Sequence, residues 1–282
     1  MKKNLLYISM LFLGISGHAQ KLSDFNRVNI EGFYTNPVVS PDGTHALLTG
    51  EHFKGVYLLD IAKNAVQTIS DKEGSGYGYS WDRNSTTFYF KEKGEKDFFT
   101  QSKVYAYDLS NKRRELKEEI NHNFLPSYQG KETPIVVYTN VMTLKIEAKD
   151  LATEKTWVVT NDEGQFYNAI LSNDGKKVAV HNGPNIFVYD LNNETKPIKV
   201  GTGIATSWSA DDKYLLGFLD ESENGHTVSN SELYLFDTKA FKPRKITNTE
   251  VFTEMFPSFS GKGKIVFSDD KTGRIFTSEL KN

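Results

Sequence analysis

The chain has no cysteine among its 282 residues. Disulfide bonds, thiolate metal ligands and a lipid anchor on a cysteine are therefore excluded. An excess of one charge is also missing, because 34 Lys and Arg stand against 36 Asp and Glu, for a formal net charge of −2. This balance argues against nucleic acid or an anionic membrane as a partner, since either would need a basic patch.

Long apolar runs are absent as well, apart from a short one near the N-terminus. Lys2 and Lys3 precede the apolar residues 5–15, and Gly17-His18-Ala19-Gln20 follows them. A bilayer span takes about 20 apolar residues, whereas a basic start, a short apolar centre and small residues are typical of a secretory signal peptide. We predict a signal peptide at residues 1–19 and a bacterial protein that is periplasmic or secreted, with no membrane insertion after signal removal.

Several catalytic and metal-binding motifs are also missing. The sequence contains no Gly-x-Ser-x-Gly, no His-Glu-x-x-His and no Asp-x-Asp-x-Asp-Gly segment. Asp211-Asp212 and Asp269-Asp270 are adjacent pairs, whose side chains point to opposite faces of an extended chain and chelate poorly. The histidines beyond the signal segment are scattered: His45, His52, His122, His181 and His226. We expect neither a metal nor a cofactor.

What the chain does contain is one pattern that recurs six times at intervals of roughly 40 residues. Each unit has a Ser-Pro-Asp-Gly tight turn, or a degraded form of it, and then a strand closed by an acidic residue. The turns start at Ser40, Ser80, Gln129, Ser172, Ser209 and Ser260, and the closing residues are Asp60, Asp108, Asp150, Asp190, Asp237 and Glu279. This period predicts an all-β fold, a six-bladed β-propeller of four-stranded antiparallel blades in a single domain at residues 20–282.

The two ends of the repeat array complement each other. The sixth unit stops after its third strand, while residues 25–32 resemble the fourth strand of the fifth unit at 243–248. We predict that the N-terminal strand completes the last blade and closes the ring, which removes two exposed sheet edges. The alternative is a disordered linker after the signal peptide.

The tetrapeptide at Ser40-Pro41-Asp42-Gly43, and the aromatic strands that end in Asp-Leu, resemble the Pro-Asp variant of the WD-type repeat. That repeat builds the six-bladed propellers of the TolB-like family, and the resemblance covers roughly residues 22–282. Proline is kept only at Pro41, and the third and sixth units lose the Asp. The family implies the fold but leaves the function open, because the same propeller serves periplasmic scaffolds, sugar lyases and peptidase gating domains.

Function is predicted on one face of the propeller, where the loops leading into the inner strands meet the loops between second and third strands. Two of these loops, at residues 91–102 and 220–231, are longer than the rest, and loops on a rigid scaffold often carry function. Aromatic side chains with polar tips suit sugar or peptide recognition. The predicted ligand-binding residues are Tyr34, Asn36, Tyr77, Phe99, Phe124, Tyr167, Asn168, His226 and Met255.

We therefore predict an exported, monomeric binding module for a protein, peptide or glycan rather than an enzyme. The alternative is a lyase or hydrolase with histidines and carboxylates at the same face, which needs several histidines to converge on one point. A purely structural part of an envelope assembly is a third possibility. Trp81, in the place of the turn proline, and Trp208, at the end of an inner strand, are both expected to pack in the core.

Overall fold

The computed structural model describes residues 21–93, 102–117, 135–222, 225, 227–260 and 263–281. Within these residues, 23 strands form six separate antiparallel sheets. Five sheets have four strands, and the third has three among the described residues. The chain is an all-β, six-bladed propeller, as the repeat predicted.

The blades follow the chain, with their strands numbered in sequence order. Blade 1 contains β2 (Thr35–Val39), β3 (His45–Thr49), β4 (Val56–Asp60) and β5 (Ala65–Ser70). Blade 2 contains β6 (Tyr79–Trp81), β7 (Thr87–Lys93), β8 (Ser102–Asp108) and β9 (Arg113–Leu116). Blade 3 contains β10 (Ile135–Asn140), β11 (Lys145–Asp150) and β12 (Thr156–Val158). Blade 4 contains β13 (Phe166–Leu171), β14 (Lys177–Asn182), β15 (Asn185–Asp190) and β16 (Ile198–Thr202). Blade 5 contains β17 (Ile204–Trp208), β18 (Tyr214–Glu221), β19 (Asn230–Asp237) and β20 (Pro243–Lys245). Blade 6 contains β21 (Glu254–Ser260), β22 (Lys264–Asp269), β23 (Arg274–Lys281) and, from the N-terminal side, β1 (Lys21–Arg27).

The hydrophobic core lies between neighbouring blades. Leu47 of blade 1 packs with Trp81 and Phe88 of blade 2 in one cluster. Phe218 of blade 5 and Phe267 of blade 6 belong to another. A central strand is covered on both faces, so its apolar residues run together instead of alternating with polar ones. Large aromatic side chains fill the gaps between the blades.

The repeated Ser and Asp residues hold the turn between the first and second strands of a blade. The hydroxyl of Ser40 donates to the carboxylate of Asp42 at 2.6 Å and accepts the N–H of His45 at 3.0 Å. The same hydroxyl–carboxylate contact measures 2.7 Å for Ser172–Asp174 and 2.8 Å for Ser209–Asp211. These residues shape turns, as their recurrence predicted.

The register of the second repeat differs from the prediction by two residues. The repeat predicts the start of this turn at Ser80, but Asp82 occupies the position that Ser40 has in blade 1. The N–H of Asp82 donates to the carbonyl of Thr87 at 2.8 Å. The N–H of Ser40 donates to the carbonyl of His45, also at 2.8 Å. The carboxylate of Asp82 accepts hydrogen bonds from the backbone N–H groups of Thr86 and Thr87, as the serine hydroxyl does from a later N–H in blade 1. The turn therefore keeps its geometry although Asp replaces Ser.

Trp81 consequently does not stand in for the turn proline. It ends the inner strand β6, in the position that Trp208 has in β17. Each indole N–H donates to a carbonyl of the preceding blade, Trp81 to Val38 at 2.9 Å and Trp208 to Ile170 at 3.0 Å. Both tryptophans tie adjacent inner strands together and are buried, as expected.

The N-terminal strand closes the ring. β1 pairs antiparallel with β23, with Lys21 opposite Lys281 and Arg27 opposite Phe276. The closure is confirmed, while the strand begins four residues before the predicted 25–32 segment. Its earlier position lets Leu22 and Phe25 pack against the core between blades 5 and 6.

Replacing Phe25 with alanine tests this closure. The Phe25 ring lies 6.0 Å from that of Phe252 and 5.6 Å from that of Phe267, with edge-on geometry in both cases. The free energy of unfolding is expected to fall by about 2 kcal/mol, less than for a fully buried Phe, because the side chain is partly exposed. Urea denaturation measures the change, with Lys21→Ala on the same strand as the control. Equal stability of the two variants would contradict the closure.

Residues 1–20, with the predicted signal peptide, lie outside the described part of the chain. Among the residues that are described, no helix has the length and apolar character needed to cross a membrane.

Candidate ligand-binding face

The propeller has two faces, which differ in the connections they carry. The loop face carries the links between blades and those between the second and third strands of a blade, and the turn face carries the others. The described loop-face connections are residues 28–34, 50–55, 71–78, 117, 141–144, 159–165, 183–184, 203, 222, 225, 227–229, 246–253 and 270–273.

An aromatic platform occupies the loop face where blades 1, 2 and 6 meet. Phe53 and Tyr77 stack with ring centroids 5.0 Å apart and planes 26° apart. Phe256 meets Phe53 edge-on at 6.3 Å. Tyr77 is 66% exposed, so the stack is open to solvent on its outer side. These three residues are termed the aromatic platform.

Close packing of two loops holds the platform in place. Phe53 ends the 3₁₀ turn Glu51–Phe53, and Tyr77 ends the 3₁₀ turn Ser75–Tyr77. A Cβ atom on Gly76 would lie 1.8 Å from Oγ1 of Thr49 and 2.6 Å from the carbonyl oxygen of Phe53. Only glycine allows this approach, so the sequence at position 76 fixes the stack of Tyr77 on Phe53.

Two platform residues have backbones that bulky side chains rarely adopt. Phe53 has φ of 56° and Phe256 has φ of 51°. Phe256 lies in the bulge of an inner strand, where blades 1 and 4 carry Asn36 at 52° and Asn168 at 51°. Asn tolerates this conformation, whereas Phe is strained in it. Backbone strain of this kind concentrates at binding and catalytic sites, which favours the platform as a functional site.

Exposed apolar side chains concentrate on the same face. Among the described residues, nine large hydrophobic side chains are exposed. Six of them lie on or beside the loop face: Tyr77, Val141, Met142, Leu144, Tyr167 and Val251. The others are Val158 and Ile198 on outer strands and Phe241 on the turn face. Uneven exposure of this kind is a feature of interaction surfaces.

Four of the predicted ligand-binding residues have structural contacts. Tyr34 packs edge-on against Tyr57 at 5.2 Å, and Met255 is 9% exposed in the core between blades 5 and 6. The carbonyl of Asn36 accepts the hydroxyl of Tyr79. The amide of Asn168 donates to the carbonyl of Ala205 at 3.0 Å, which links blade 4 to blade 5.

The other predicted residues divide into two groups. Tyr77 and Tyr167 are exposed at the loop face, and Tyr167 stacks on the ring of His181 at 5.3 Å. Phe99, Phe124 and His226 lie outside the described residues. Phe53 and Phe256 were not among the predicted residues, although the Gly-Glu-His-Phe segment at 50–53 lies in one of the loops between second and third strands.

The predicted loop of blade 5, residues 220–231, is shorter in the structure, because two residues at each of its ends belong to strands. β18 and β19 continue their ladder past the predicted boundary, with Asp220 opposite Ser231 and Glu221 opposite Asn230. These polar residues pair because the register of β18 and β19 is already fixed by the rest of the two strands. Most of the blade 2 loop, residues 94–101, lies outside the described part of the chain.

The described histidines lie apart. His52 is exposed on blade 1, whereas His181 is fully buried in blade 4. Nε2 of His181 accepts the N–H of Ala205 at 3.0 Å, and burial lowers the pKa of His181 to about 4, which keeps the ring neutral. His122 and His226 lie outside the described residues. Within those that are described, no group of three His, Asp or Glu side chains is arranged to hold a metal ion.

A cavity opens on the turn face, opposite the face predicted to bind ligand. It has a volume of about 890 Å³, with walls that include Val38, Ile170 and Trp208. Carboxylates on its rim are used by turns: Asp212 accepts the backbone N–H groups of Asn173 and Asp174, both at 2.9 Å. Turn formation therefore accounts for the Asp212 carboxylate at this opening.

No family profile matches the sequence, and no curated protein matches it. Solved structures do match. The β-propeller domain of Cps50 (Swd1) from Myceliophteria thermophila aligns with a TM-score of 0.61 at 11% identity over 92% of this chain and 100% of that one. TolB from Acinetobacter baumannii aligns with a TM-score of 0.55 at 19% identity, over 88% of this chain and 63% of that one. The chain has a TolB-like propeller fold. An oligogalacturonate lyase in complex with manganese also aligns, with a TM-score of 0.51 at 13% identity, over 94% and 97% of the two chains. At these identities, the likenesses show the fold alone.

Proposed function

We propose that the protein is a binding module that recognises a protein, peptide or glycan on its loop face, with the aromatic platform as the central contact. The observation that supports this is the stack of Tyr77 on Phe53, which is open to solvent. Close packing around Gly76, where a larger residue would not fit, holds this stack in place. An exposed aromatic stack gives a ligand a large rigid contact area at little loss of conformational entropy.

The strain at Phe256 supports the same proposal. A bulge residue in the left-handed region costs of order 1–3 kcal/mol. Asn fills the equivalent positions of blades 1 and 4, so the fold itself does not require Phe there. Phe256 instead places its ring edge-on to Phe53 and 5.0 Å from the buried ring of Phe218. The strained residue thus connects the exposed platform to the core.

The proposed location follows from the N-terminal sequence. Lys2, Lys3 and the apolar residues 5–15 have the composition of a secretory signal. We place the working protein, as a monomer, in the periplasm or outside the cell.

Oriented attachment tests the proposed face. Because the chain has no cysteine, a single cysteine at an exposed position gives one attachment point. Ala62→Cys, on the turn face, leaves the loop face free, whereas Thr143→Cys directs the loop face at the support. The probes are a random-peptide phage library and a panel of soluble oligosaccharides.

Binding is expected through the Ala62→Cys attachment, and its loss through the Thr143→Cys attachment. Equal binding in both orientations, or no binding of either probe class in either orientation, would overturn the proposal. Thermal denaturation of both variants in solution shows that neither substitution has changed the fold.

A further inference from the structure

The two faces of the propeller carry opposite charge. The described loop-face connections contain eight carboxylates: Glu31, Glu51, Asp71, Glu73, Asp162, Glu163, Glu250 and Asp270. Against these stand four lysines: Lys54, Lys72, Lys117 and Lys271. The described turn-face connections contain seven carboxylates: Asp42, Asp82, Glu154, Asp174, Glu194, Asp211 and Asp212. They contain nine basic residues: Lys63, Arg83, Lys112, Lys155, Lys176, Lys196, Lys213, Lys239 and Lys242. The loop face is therefore acidic, although the chain as a whole is nearly neutral.

The carboxylates of the two faces also differ in what they contact. On the turn face nearly all of them are used inside the protein, as Asp42 is by Ser40 and Thr44. On the loop face, five exposed carboxylates make no hydrogen bond or ion pair with any described residue: Glu31, Asp71, Glu73, Glu163 and Glu250. The turn-face carboxylates therefore stabilise the fold, whereas these five stabilise no contact among the described residues.

The loop-face lysines, by contrast, mostly have acceptors within the chain. Nζ of Lys72 lies 3.6 Å from the carboxylate of Glu92, and Nζ of Lys117 lies 2.8 Å from that of Glu115. Nζ of Lys271 donates to the carbonyl of Ser229 at 3.4 Å. Two of the four lysines are thus paired with carboxylates outside the eight, so the negative charge that a partner meets on this face is only partly offset.

The unpaired carboxylates share the face with the exposed apolar side chains. Asp71 and Glu73 belong to the same connection as Tyr77, and Glu250 is next to the exposed Val251. We propose that the partner of the loop face is a polypeptide segment that carries Lys or Arg beside apolar side chains. This inference rests on the proposed function and names the class of ligand.

A basic, partly apolar polypeptide complements both the carboxylates and the exposed apolar side chains of this face. Its cationic groups meet the carboxylates, and one of them can lie over the exposed ring of Tyr77 in a cation–π contact. Its apolar groups cover Val141, Met142 and Leu144, which are exposed together in the turn between β10 and β11. A neutral glycan leaves the carboxylates unused, and an acidic glycan is repelled by them. The observations therefore favour a polypeptide.

Selection from the random-peptide phage library on the Ala62→Cys protein tests the charge requirement. Lys and Arg are expected to rise at least about twofold over the unselected library, and added salt is expected to weaken binding. The variant Asp71→Asn/Glu73→Gln/Glu250→Gln removes three loop-face charges. It is expected to bind the selected peptide about tenfold more weakly, since exposed ion pairs each contribute little but add up.

A matched variant controls for net charge. Glu154→Gln/Glu194→Gln/Glu279→Gln removes the same number of charges from residues away from the loop face and is expected to bind like the parent protein. Selected peptides without basic residues, binding of oligosaccharides alone, or equal weakening by the two triple variants would overturn the inference, while loop-face binding would still support the proposed function. Absence of binding in both orientations would overturn both.

Discussion

Replacing Arg114 with alanine is expected to lower the free energy of unfolding by about 3 kcal/mol, the low end of the range for removing one partner of a buried ion pair, because the Arg114 side chain is 31% exposed. Glu92 is only 2% exposed. Its carboxylate accepts two hydrogen bonds from the guanidinium of Arg114, one of them at 2.7 Å, and one from the hydroxyl of Ser70 at 2.5 Å. Without Arg114, the nearest cation is Lys72 at 3.6 Å.

The arrangement joins blade 1 to blade 2 through the hydrogen bond between Ser70 and Glu92. Ser70 ends the last strand of blade 1, and the connection that carries Tyr77 begins at Asp71. The guanidinium of Arg114 also lies 3.6 Å above the ring centroid of Tyr105. Loss of Arg114 therefore removes an ion pair, a cation–π contact and part of the support of the loop.

The pH dependence of this loss has a defined sign. Burial acts to raise the pKa of Glu92, but the hydrogen bonds from Arg114 and Ser70, with the charges of Arg114 and Lys72, outweigh it and hold the pKa below its ordinary value. The stability is therefore present above the pKa of the unfolded carboxyl and lost as pH falls through the folded one. The difference between parent and Arg114→Ala is expected to shrink in acid.

Urea denaturation at neutral pH and in acid measures both effects. The double variant Glu92→Met/Arg114→Met is the control, because it leaves no buried charge unpaired and is expected to lose less stability than Arg114→Ala. A larger loss in the double variant, or no effect of Arg114→Ala, would contradict this account of the junction.

Replacing Glu254 with glutamine is expected to raise the free energy of unfolding at pH 8 by about 3 kcal/mol and to leave it nearly unchanged at pH 4. Glu254 is fully buried at the start of β21. One carboxyl oxygen accepts the hydroxyl of Thr249 at 2.9 Å, and the other has no hydrogen-bond partner among the described residues. Burial, with the charges of Glu232 and Asp269, raises its pKa from 4.5 to about 7.

The sign of this effect is opposite to that at Glu92. A carboxyl with a raised pKa holds an extra proton in the folded state, so the protein is most stable below the unfolded pKa and loses stability as pH rises through the folded one. The rise of the pKa from 4.5 to about 7 corresponds to about 3 kcal/mol of stability lost at high pH. Glutamine has the shape of the protonated acid and does not titrate, so its variant avoids this loss.

Denaturation of parent and Glu254→Gln between pH 4 and pH 8 isolates the group, because every other carboxylate is common to both. Glu250→Gln, which changes an exposed glutamate in the connection just before β21, is the matched control and is expected to leave the pH profile unchanged. Parallel profiles for the parent and Glu254→Gln would show that Glu254 is charged or accessible in the folded protein.

The architecture could be predicted from the sequence because each blade repeats the same turn chemistry. Ser40, Ser172 and Ser209 have equivalent hydrogen bonds, and a local motif of this kind can be read without tertiary information. Blade 2 shows where that reading fails. Asp82 performs the role of the serine, so a search by residue type shifted the register by two positions, and only the hydrogen bond to Thr87 reveals it.

The candidate site was less predictable, because it depends on contacts between blades. Tyr77 was recognisable as an aromatic residue in a connecting loop. Its partner Phe53 lies in a different loop, and Phe256 lies in a bulge whose backbone conformation no sequence pattern predicts. Asn36 and Met255 have the chemistry and the positions expected of ligand-binding residues. In the structure, however, the Asn36 carbonyl bonds to Tyr79 and Met255 packs in the core.

The affinity of the Tyr77→Ala protein for the strongest ligand recovered on the free loop face tests the central proposal most directly. Tyr77 is exposed, so its removal is expected to change stability little while weakening binding about tenfold or more. Phe241→Ala is the matched control, since Phe241 is a 56% exposed aromatic residue on the turn face. Weaker binding by Tyr77→Ala with unchanged binding by Phe241→Ala is the predicted result. Binding by Tyr77→Ala as tight as that of the parent protein would contradict the proposal.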